Sequence, residues 1–242
     1  MGGASSGMGR ACAVALAREG CNVAVFARRR ELLEEAVAEI EALGSGAQAL
    51  AVAGNSALPA DLEALVERTL ERFGRLDIVV NNTGGPPAGT FEDFDDDAWR
   101  RAWDLTLMST LRLTRFALPE LRKSGRGRVV NITSSAVKEP SEGLLLSNAY
   151  RPGVIGWAKT LSQDEGPNGI TVNSIAPGII DTPRQAHFTP EVRAEREARI
   201  PLRRMGRAQE VADVVCFLAS DRASYVTGTL IPVDGGLSRA LL

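Results

Sequence analysis

Histidine and cysteine are scarce in this chain of 242 residues: His187 is the single histidine, and the three cysteines, Cys12, Cys21 and Cys216, form no CxxC pair. That set cannot assemble a usual zinc site, so no metal is expected. An odd, sparse cysteine count fits a reducing cytosol, which makes a cytoplasmic location the expectation. Long hydrophobic runs are also missing. Apolar-rich stretches such as Leu76–Val80 fall far short of the roughly 20 residues of a bilayer span, so no membrane partner is expected. Charge of one sign is not in excess: 28 basic residues face 30 acidic ones, a net charge of −2, and no basic footprint for nucleic acid results. Lysine is nearly absent, with only Lys123, Lys138 and Lys159, a bias that carries no functional weight. Met1 is followed by a glycine-rich polar stretch rather than a basic and then apolar segment, so no secretory signal is expected. What remains, 44% hydrophobic and 24% charged residues, is the composition of one globular domain over residues 1–242.

Within it, short β-branched runs alternate with long Ala/Leu/Glu/Arg stretches of helical period. Strands are predicted at Asn22–Ala27, Gln48–Ala53, Leu76–Val80, Arg128–Thr133, Ile170–Ile175 and Thr229–Val233. Helices are predicted at Arg10–Arg18, Glu31–Leu43, Pro59–Phe73, Asp96–Leu121, Ser147–Gln163 and Gln209–Ala219. Pro59 near a helix start and Gly74 just past its end follow the usual capping asymmetry. Repeated βα units predict an α/β fold, a doubly wound, Rossmann-like parallel sheet. The one long irregular stretch, Pro177–Arg207, is the candidate substrate lid.

Gly3-Ala-Ser-Ser-Gly7-Met-Gly9 opens the first helix. Glycines at this spacing let a backbone approach a pyrophosphate, while the helix N-terminus supplies free N–H groups and the positive end of its dipole. Such a turn should follow a strand, yet only Met1 and Gly2 precede Gly3. A strand there would lie mid-sheet and pair on both sides. Without it a central slot remains, with unpaired backbone and uncovered apolar faces. The expectation is a native chain beginning about ten residues earlier, which an intact mass of the natively expressed protein tests.

The strand Asn22–Ala27 runs into Arg28-Arg29-Arg30. Where a dinucleotide fold usually places a carboxylate for the ribose 2′-OH, arginine can instead grip a 2′-phosphate in a charge-assisted fork. Three arginines at a helix N-terminus are unfavourable against the dipole unless an anion compensates. The expected cofactor is therefore NADP(H), with Arg28 the main contact and Arg29 or Arg30 assisting.

Taken in order, Gly3-x-x-x-Gly7-x-Gly9, Asn81-Asn82-Thr83-Gly84, Asn131-Ile132-Thr133-Ser134-Ser135, Pro177-Gly178-Ile179-Ile180-Asp181-Thr182 and Val233-Asp234-Gly235-Gly236 resemble the short-chain dehydrogenase/reductase family over essentially the whole chain. The resemblance implies a seven-stranded Rossmann-like sheet, a nicotinamide cofactor, a small-molecule substrate and a homotetramer or homodimer. It also implies cofactor contacts at Gly3, Ser5, Gly7 and Met8 (phosphates), Asn82 and Gly84 (adenosine half), and Pro177, Gly178, Ile180 and Thr182 (nicotinamide and its phosphates). Asn55 replaces the family's adenine-binding Asp, and an amide can still serve.

The active site departs from the family's Asn, Ser, Tyr and Lys. Registered on Val154–Leu161, the serine is Ser134, the tyrosine position is Ser147, the lysine position is Arg151 and the asparagine position is Thr106. Ser147 and Arg151, at i and i+4, share a helical face. Arg151 can hold the nicotinamide ribose and stabilise a developing alkoxide. Ser147 can orient substrate or water but lacks the acidity of a phenol, and it can equally serve as the helix N-cap. Asn148 adds a polar neighbour. Tyr150, with Val154 four residues on, has no lysine partner, and a packed tyrosine is the preferred reading. His187 can donate a proton, although a solvated loop histidine is the simpler account. Arg184, Arg193, Arg203 and Arg204 of the lid can attract an anion or simply be solvated. The Ser-Asn-x-x-Arg pattern looks like a divergent subgroup lacking the tyrosine. The expected activity is NADP(H)-dependent hydride transfer between nicotinamide and a carbonyl, alcohol or activated double bond, with catalytic Ser134, Ser147 and Arg151. The alternatives are a nucleotide-binding pseudoenzyme with a regulatory or assembly role, and a non-redox lyase or isomerase in the same pocket.

Overall fold

The computed structural model describes residues 1–241. In chain order the elements are α1 (Gly7–Arg18), β1 (Val23–Ala27), α2 (Arg30–Glu41), β2 (Ala49–Ala53), α3 (Pro59–Phe73), β3 (Ile78–Asn81), α4 (Asp96–Trp103), α5 (Ser109–Ser124), β4 (Arg128–Ile132), α6 (Leu145–Asp164), β5 (Thr171–Pro177), β6 (Ile180–Asp181), α7 (Pro190–Arg199), β7 (Gly206–Arg207), α8 (Ala208–Ala219) and β8 (Leu230–Val233). Every strand pair is parallel, as expected for βα repeats. Helices cover both faces. Apolar residues of α1 and α8 pack in one core with Val25, Val80, Val130 and Ile175. Those of α3 and α5 pack in the other with Phe26, Val79, Val129 and Val172. Alternate residues of the same strands thus feed opposite layers, and the fold is the doubly wound α/β arrangement.

Local sequence explains the elements that frame the site. Helix α3 begins with Pro59 and stops at Gly74, whose φ of 73° lets its N–H reach back to the Leu70 carbonyl. Helix α2 buries Leu33, Ala36 and Ile40, one stripe at helical spacing. Strand β5 is buried along its whole length, as a central parallel strand must be.

Four expectations are corrected. Strand β3 starts at Ile78 rather than Leu76, because the Asp77 carboxylate is held outside the ladder by Arg75 and Ser124. The helix expected over Asp96–Leu121 is interrupted by a π-type turn at Asp104–Met108, where the Ser109 N–H reaches the Asp104 carbonyl five residues back. The Pro177–Arg207 lid is not irregular: β6 pairs with β7, and α7 lies between them. Instead of a seven-stranded sheet, the described residues form six strands in two pieces, β2-β1 and β3-β4-β5-β8.

Between the pieces lies a slot one strand wide. Met1–Ala4 close its upper end. The Gly2 N–H donates to the Val80 carbonyl on one side, while the Ala4 N–H donates to the Phe26 carbonyl on the other. Below them is a cavity of about 980 Å³, lined by Leu16, Val23, Ala24, Ile78, Val79 and Cys216 among others. No described helix is long and apolar enough to cross a membrane.

Candidate active site

The glycine-rich turn lies at the top of the slot, above the carboxyl ends of the strands. Gly3 and Gly7 adopt φ of 58° and 56°, values that other residues rarely take. A Cβ on Gly9 would overlap the Gly3 carbonyl, and one on Gly3 would stand 2.6 Å from Asn82 Nδ2. The turn is therefore folded as tightly as backbone allows. Asn82 fastens it, donating from Nδ2 to the Gly2 and Gly3 carbonyls at 3.2 and 3.4 Å. Asn81 faces inward, donating to Thr114 Oγ1 and Asn131 Oδ1 at 2.8 Å, and so ties β3 to β4. Ser6, at the N-cap of α1, makes no side-chain cap bond, which leaves first-turn N–H groups for a ligand.

Around this cradle the expected residues fall into two groups. Arg29 Nη2 lies 3.5 Å from Ser5 Oγ, so one arginine of the trio reaches the turn itself. Arg28 is exposed beside it, and Arg30 leans on Glu34 at 3.9 Å. Helix α2 starts here without a side-chain cap, so its N-terminus and the arginines together form a positive rim. Asn55 spends its Oδ1 on the Ala57 N–H, and Asp61 accepts the Asn55 N–H at 2.7 Å. Asp61, which sequence reasoning did not single out, thereby shapes the loop at the adenine end. On the opposite side, Thr182 packs against Gly7, and the Gly178 N–H donates to the Val233 carbonyl at 3.0 Å. Pro177 ends buried β5, and the side chain of Ile180 is buried in the core, so only its backbone is available to a ligand. Met8 is half-buried on α1, and Gly84 stands in open space past β3.

Beyond the end of β4, Arg151 joins Ser147 to the backbone just before Ser134. Arg151 is 9% exposed, and its Nε donates to Ser147 Oγ at 3.1 Å while Nη1 donates to the Thr133 carbonyl at 3.0 Å. Its charge therefore rests on neutral acceptors. Burial, reinforced by the nearby Arg184 cation, pushes its pKa down to about 10, so it remains cationic at neutral pH. Ser134 follows Thr133 directly and caps a short 3-10 turn by accepting the Ala136 N–H at 3.2 Å, which leaves its own O–H to donate.

Ser147 is not an N-cap. Helix α6 begins at Leu145, so Ser147 lies inside its first turn, 6% exposed, with its hydroxyl on Arg151. Asn148 uses both ends of its amide on the Ser141 backbone and pins the approach to α6 instead of facing the pocket. Tyr150 lies edge-on to Trp99 and Trp103, with centroids 5.7 and 5.6 Å away, and burial raises its pKa. It is a packing residue on the α4 side. His187 is exposed and touches the edge of Phe188 at 4.6 Å.

Thr106 lies in the π-type turn, 2% exposed, and its Oγ1 has no hydrogen-bond partner among the described residues. Buried hydroxyls are rarely left so, and π-type turns favour functional sites. No local signal in the sequence marks that turn.

The matching family model, described as enoyl-(acyl carrier protein) reductase, spans residues 3–238. The chain is 34% identical over 238 residues to the 3-oxoacyl-(acyl-carrier-protein) reductase FabG of Staphylococcus aureus, covering 97% of this chain and 95% of that protein. Among solved structures it is similar to YwfH, an NADPH-dependent reductase involved in bacilysin biosynthesis, at TM-score 0.96 and 27% identity over 100% of this chain and 98% of that one. It is also similar to L-sorbose reductase of Gluconobacter frateurii, solved with NADPH and L-sorbose, at TM-score 0.93 and 30% identity over 100% and 96% of the two chains.

Proposed function

The chain belongs to the short-chain dehydrogenase/reductase family, and from that premise we propose that this NADP(H)-dependent oxidoreductase works with a rebuilt active site of Ser134, Ser147 and Arg151. The observation that carries this reading is the buried, carboxylate-free Arg151 cation bonded to Ser147 and to the backbone next to Ser134. The glycine turn fits a dinucleotide diphosphate, because it delivers the chain into the N-terminus of α1, whose first-turn N–H groups have no side-chain cap. Gly3, Ser5, Gly7 and Met8 would hold the phosphates, Asn82 the shape of their turn, Asn55 and Gly84 the adenosine half, Arg28 and Arg29 the 2′-phosphate, and Pro177, Gly178, Ile180 and Thr182 the nicotinamide end.

A bound NADPH supplies hydride to a carbonyl carbon or an activated double bond. The protein's part is electrostatic. Arg151 offers a fixed positive charge to the oxygen on which negative charge develops, in a site where burial strengthens that attraction. Ser134 donates its O–H to the same oxygen. Ser147 keeps the guanidinium in one rotamer. Neither serine nor arginine releases a proton readily at neutral pH, so the final proton comes from water. Losing general acid catalysis costs about 10² to 10⁴ in rate, so the preferred substrates are those that carry negative charge well, such as enones and activated ketones.

The test is NADPH binding followed by NADPH oxidation across ketones, quinones and enones. Tight binding with no turnover anywhere in the panel would replace this reading with the pseudoenzyme. The cofactor assignment has its own check. Charge-assisted bonds are worth about 1.5–3 kcal/mol, so Arg28→Ala should weaken NADPH by about tenfold to a hundredfold and leave NADH nearly unchanged. Equal losses in a fluorescence titration with both cofactors would refute the 2′-phosphate contact. A homodimer or homotetramer in the reducing cytosol is also proposed. Exposed Phe91, Trp103 and Tyr225 support association, and light scattering that shows a monomer would exclude it.

A further inference from the structure

The chain after β8 folds back on itself. The Asp234 carboxylate accepts the Gly236 N–H through Oδ1 and the Ser238 N–H through Oδ2, each at 2.9 Å. Gly235 and Gly236 take φ of 64° and 84°, left-handed values that this reversal requires. An aspartate bonded to the backbone two residues on fixes such a turn without help from a sheet or helix.

The strap so formed, residues 234–239, touches three parts of the crevice. Beside the proposed nicotinamide end, a Cβ on Gly178 would stand 2.7 Å from the Asp234 Cβ, so the two loops approach as closely as a glycine permits. At the base of the lid, the Leu202 N–H donates to the Gly235 carbonyl at 3.2 Å, and a Cβ on Gly235 would stand 2.8 Å from buried Ile200. At the far end of the strap, the Arg239 N–H donates to Glu139 Oε1 at 2.5 Å.

Glu139 belongs to the segment between Ser134 and Ser147, which is irregular apart from the 3-10 turn at Ser135–Val137. A segment with so little regular structure keeps its shape through individual ties. The Asn148 amide holds Ser141, and the Gly143 carbonyl accepts the Gly89 N–H at 2.7 Å. The Glu139 N–H donates to the Ser135 carbonyl at 3.3 Å, in the turn that Ser134 caps. A bonded path therefore runs from the lid base through the strap and Glu139 to Ser134. Resting on the function proposed above, we propose that Glu139 is a positioning residue, which holds the Ser134 turn in register with the lid by way of the strap. It touches neither substrate nor cofactor and acts through the backbone that carries the Ser134 hydroxyl.

The first arm of the test needs no ligand. Hydrogen exchange on the full chain is read at residues 134–147 and 200–202 in the wild type, Glu139→Ala, Glu139→Gln and Arg239→Ala. Losing one charge-assisted bond should speed exchange about tenfold in Glu139→Ala. The increase should appear at both stretches, although the lid base is bonded to the strap and not to Glu139. Glu139→Gln keeps an acceptor oxygen and Arg239→Ala keeps the N–H, so both should exchange as the wild type does. In the second arm, NADPH-dependent reduction, Glu139→Ala should lower kcat about tenfold, within the roughly hundredfold that a 1 Å misplacement costs. NADP⁺ affinity and Tm should stay unchanged, and Glu139→Gln should restore kcat. Faster exchange at 134–147 alone would overturn the proposal, as would an unchanged kcat in Glu139→Ala or an equal loss in Arg239→Ala. A Tm that falls along with kcat would make Glu139 a merely structural residue. A wild type that binds NADPH and turns nothing over would strike the function proposed above and Glu139's part in it, while exchange still decides whether the strap joins lid and turn.

Discussion

Arg151→Met should lower kcat for NADPH-dependent reduction by about 10² to 10³, the usual loss when a preorganised donor to a developing oxyanion is removed. The same substitution should leave the protein at least as stable. Arg151 is buried against neutral acceptors, and burial pushes its pKa down to about 10, below the ordinary arginine range. A cation whose folded pKa is depressed costs stability wherever it is charged in both states, here at every pH below about 10. That cost is relieved as pH rises past about 10 toward the ordinary arginine range, because the unfolded chain binds the extra proton in that window. Replacing the buried cation with an apolar side chain of similar volume therefore removes an unfavourable term. Activity and stability should move in opposite directions, which a merely structural arginine would not do. The wild-type rate should also fall as pH rises past about 10, a limb missing from the residual activity of the variant. Turnover undiminished in Arg151→Met would discredit the assigned role.

How much of this was legible beforehand depends on the range of the interactions that decide each feature. Helix α3 matched its expected bounds because Pro59 and Gly74 are local signals, acting through φ and a missing N–H. The glycine turn was legible for the same reason. Arg151 came from register against a family motif, with no local cue. Ser147 was open to two readings because serine favours N-caps. The N-cap reading falls, since the chain turns helical two residues earlier, at Leu145. Which of the lid arginines are already paired was invisible. Whether a lid arginine is spent depends on partners such as Asp181, twelve residues from Arg193, and on the β6–β7 pairing that brings the ends of the lid together. The π-type turn at Thr106 likewise follows from packing, which periodicity does not report.

Joining a strand of about five apolar, β-branched residues to Met1 should raise the Tm by at least about 5 °C. The slot between β1 and β3 offers unpaired backbone on both sides and apolar side chains on both faces, and Met1–Ala4 already occupy its upper end in the right direction. Each Val or Ile buried there contributes about 1.5–3 kcal/mol, and each ladder bond about 1 kcal/mol more. Ordering costs about 2 kcal/mol per residue, so a strand paired on both edges gains on balance. The consequence reaches the site, because Gly3 and Ala4 follow directly: a strand fixed below them holds the cradle in one shape. NADP⁺ affinity should therefore tighten along with the rise in Tm. Cys216, which lines the cavity, should become slower to react with a thiol reagent. A Gly-Ser extension of equal length supplies the control, with chain added but no side chains to bury. If both extensions give the same Tm and the same Cys216 reactivity, the slot does not accept a strand, and the sheet must close by moving its two halves together.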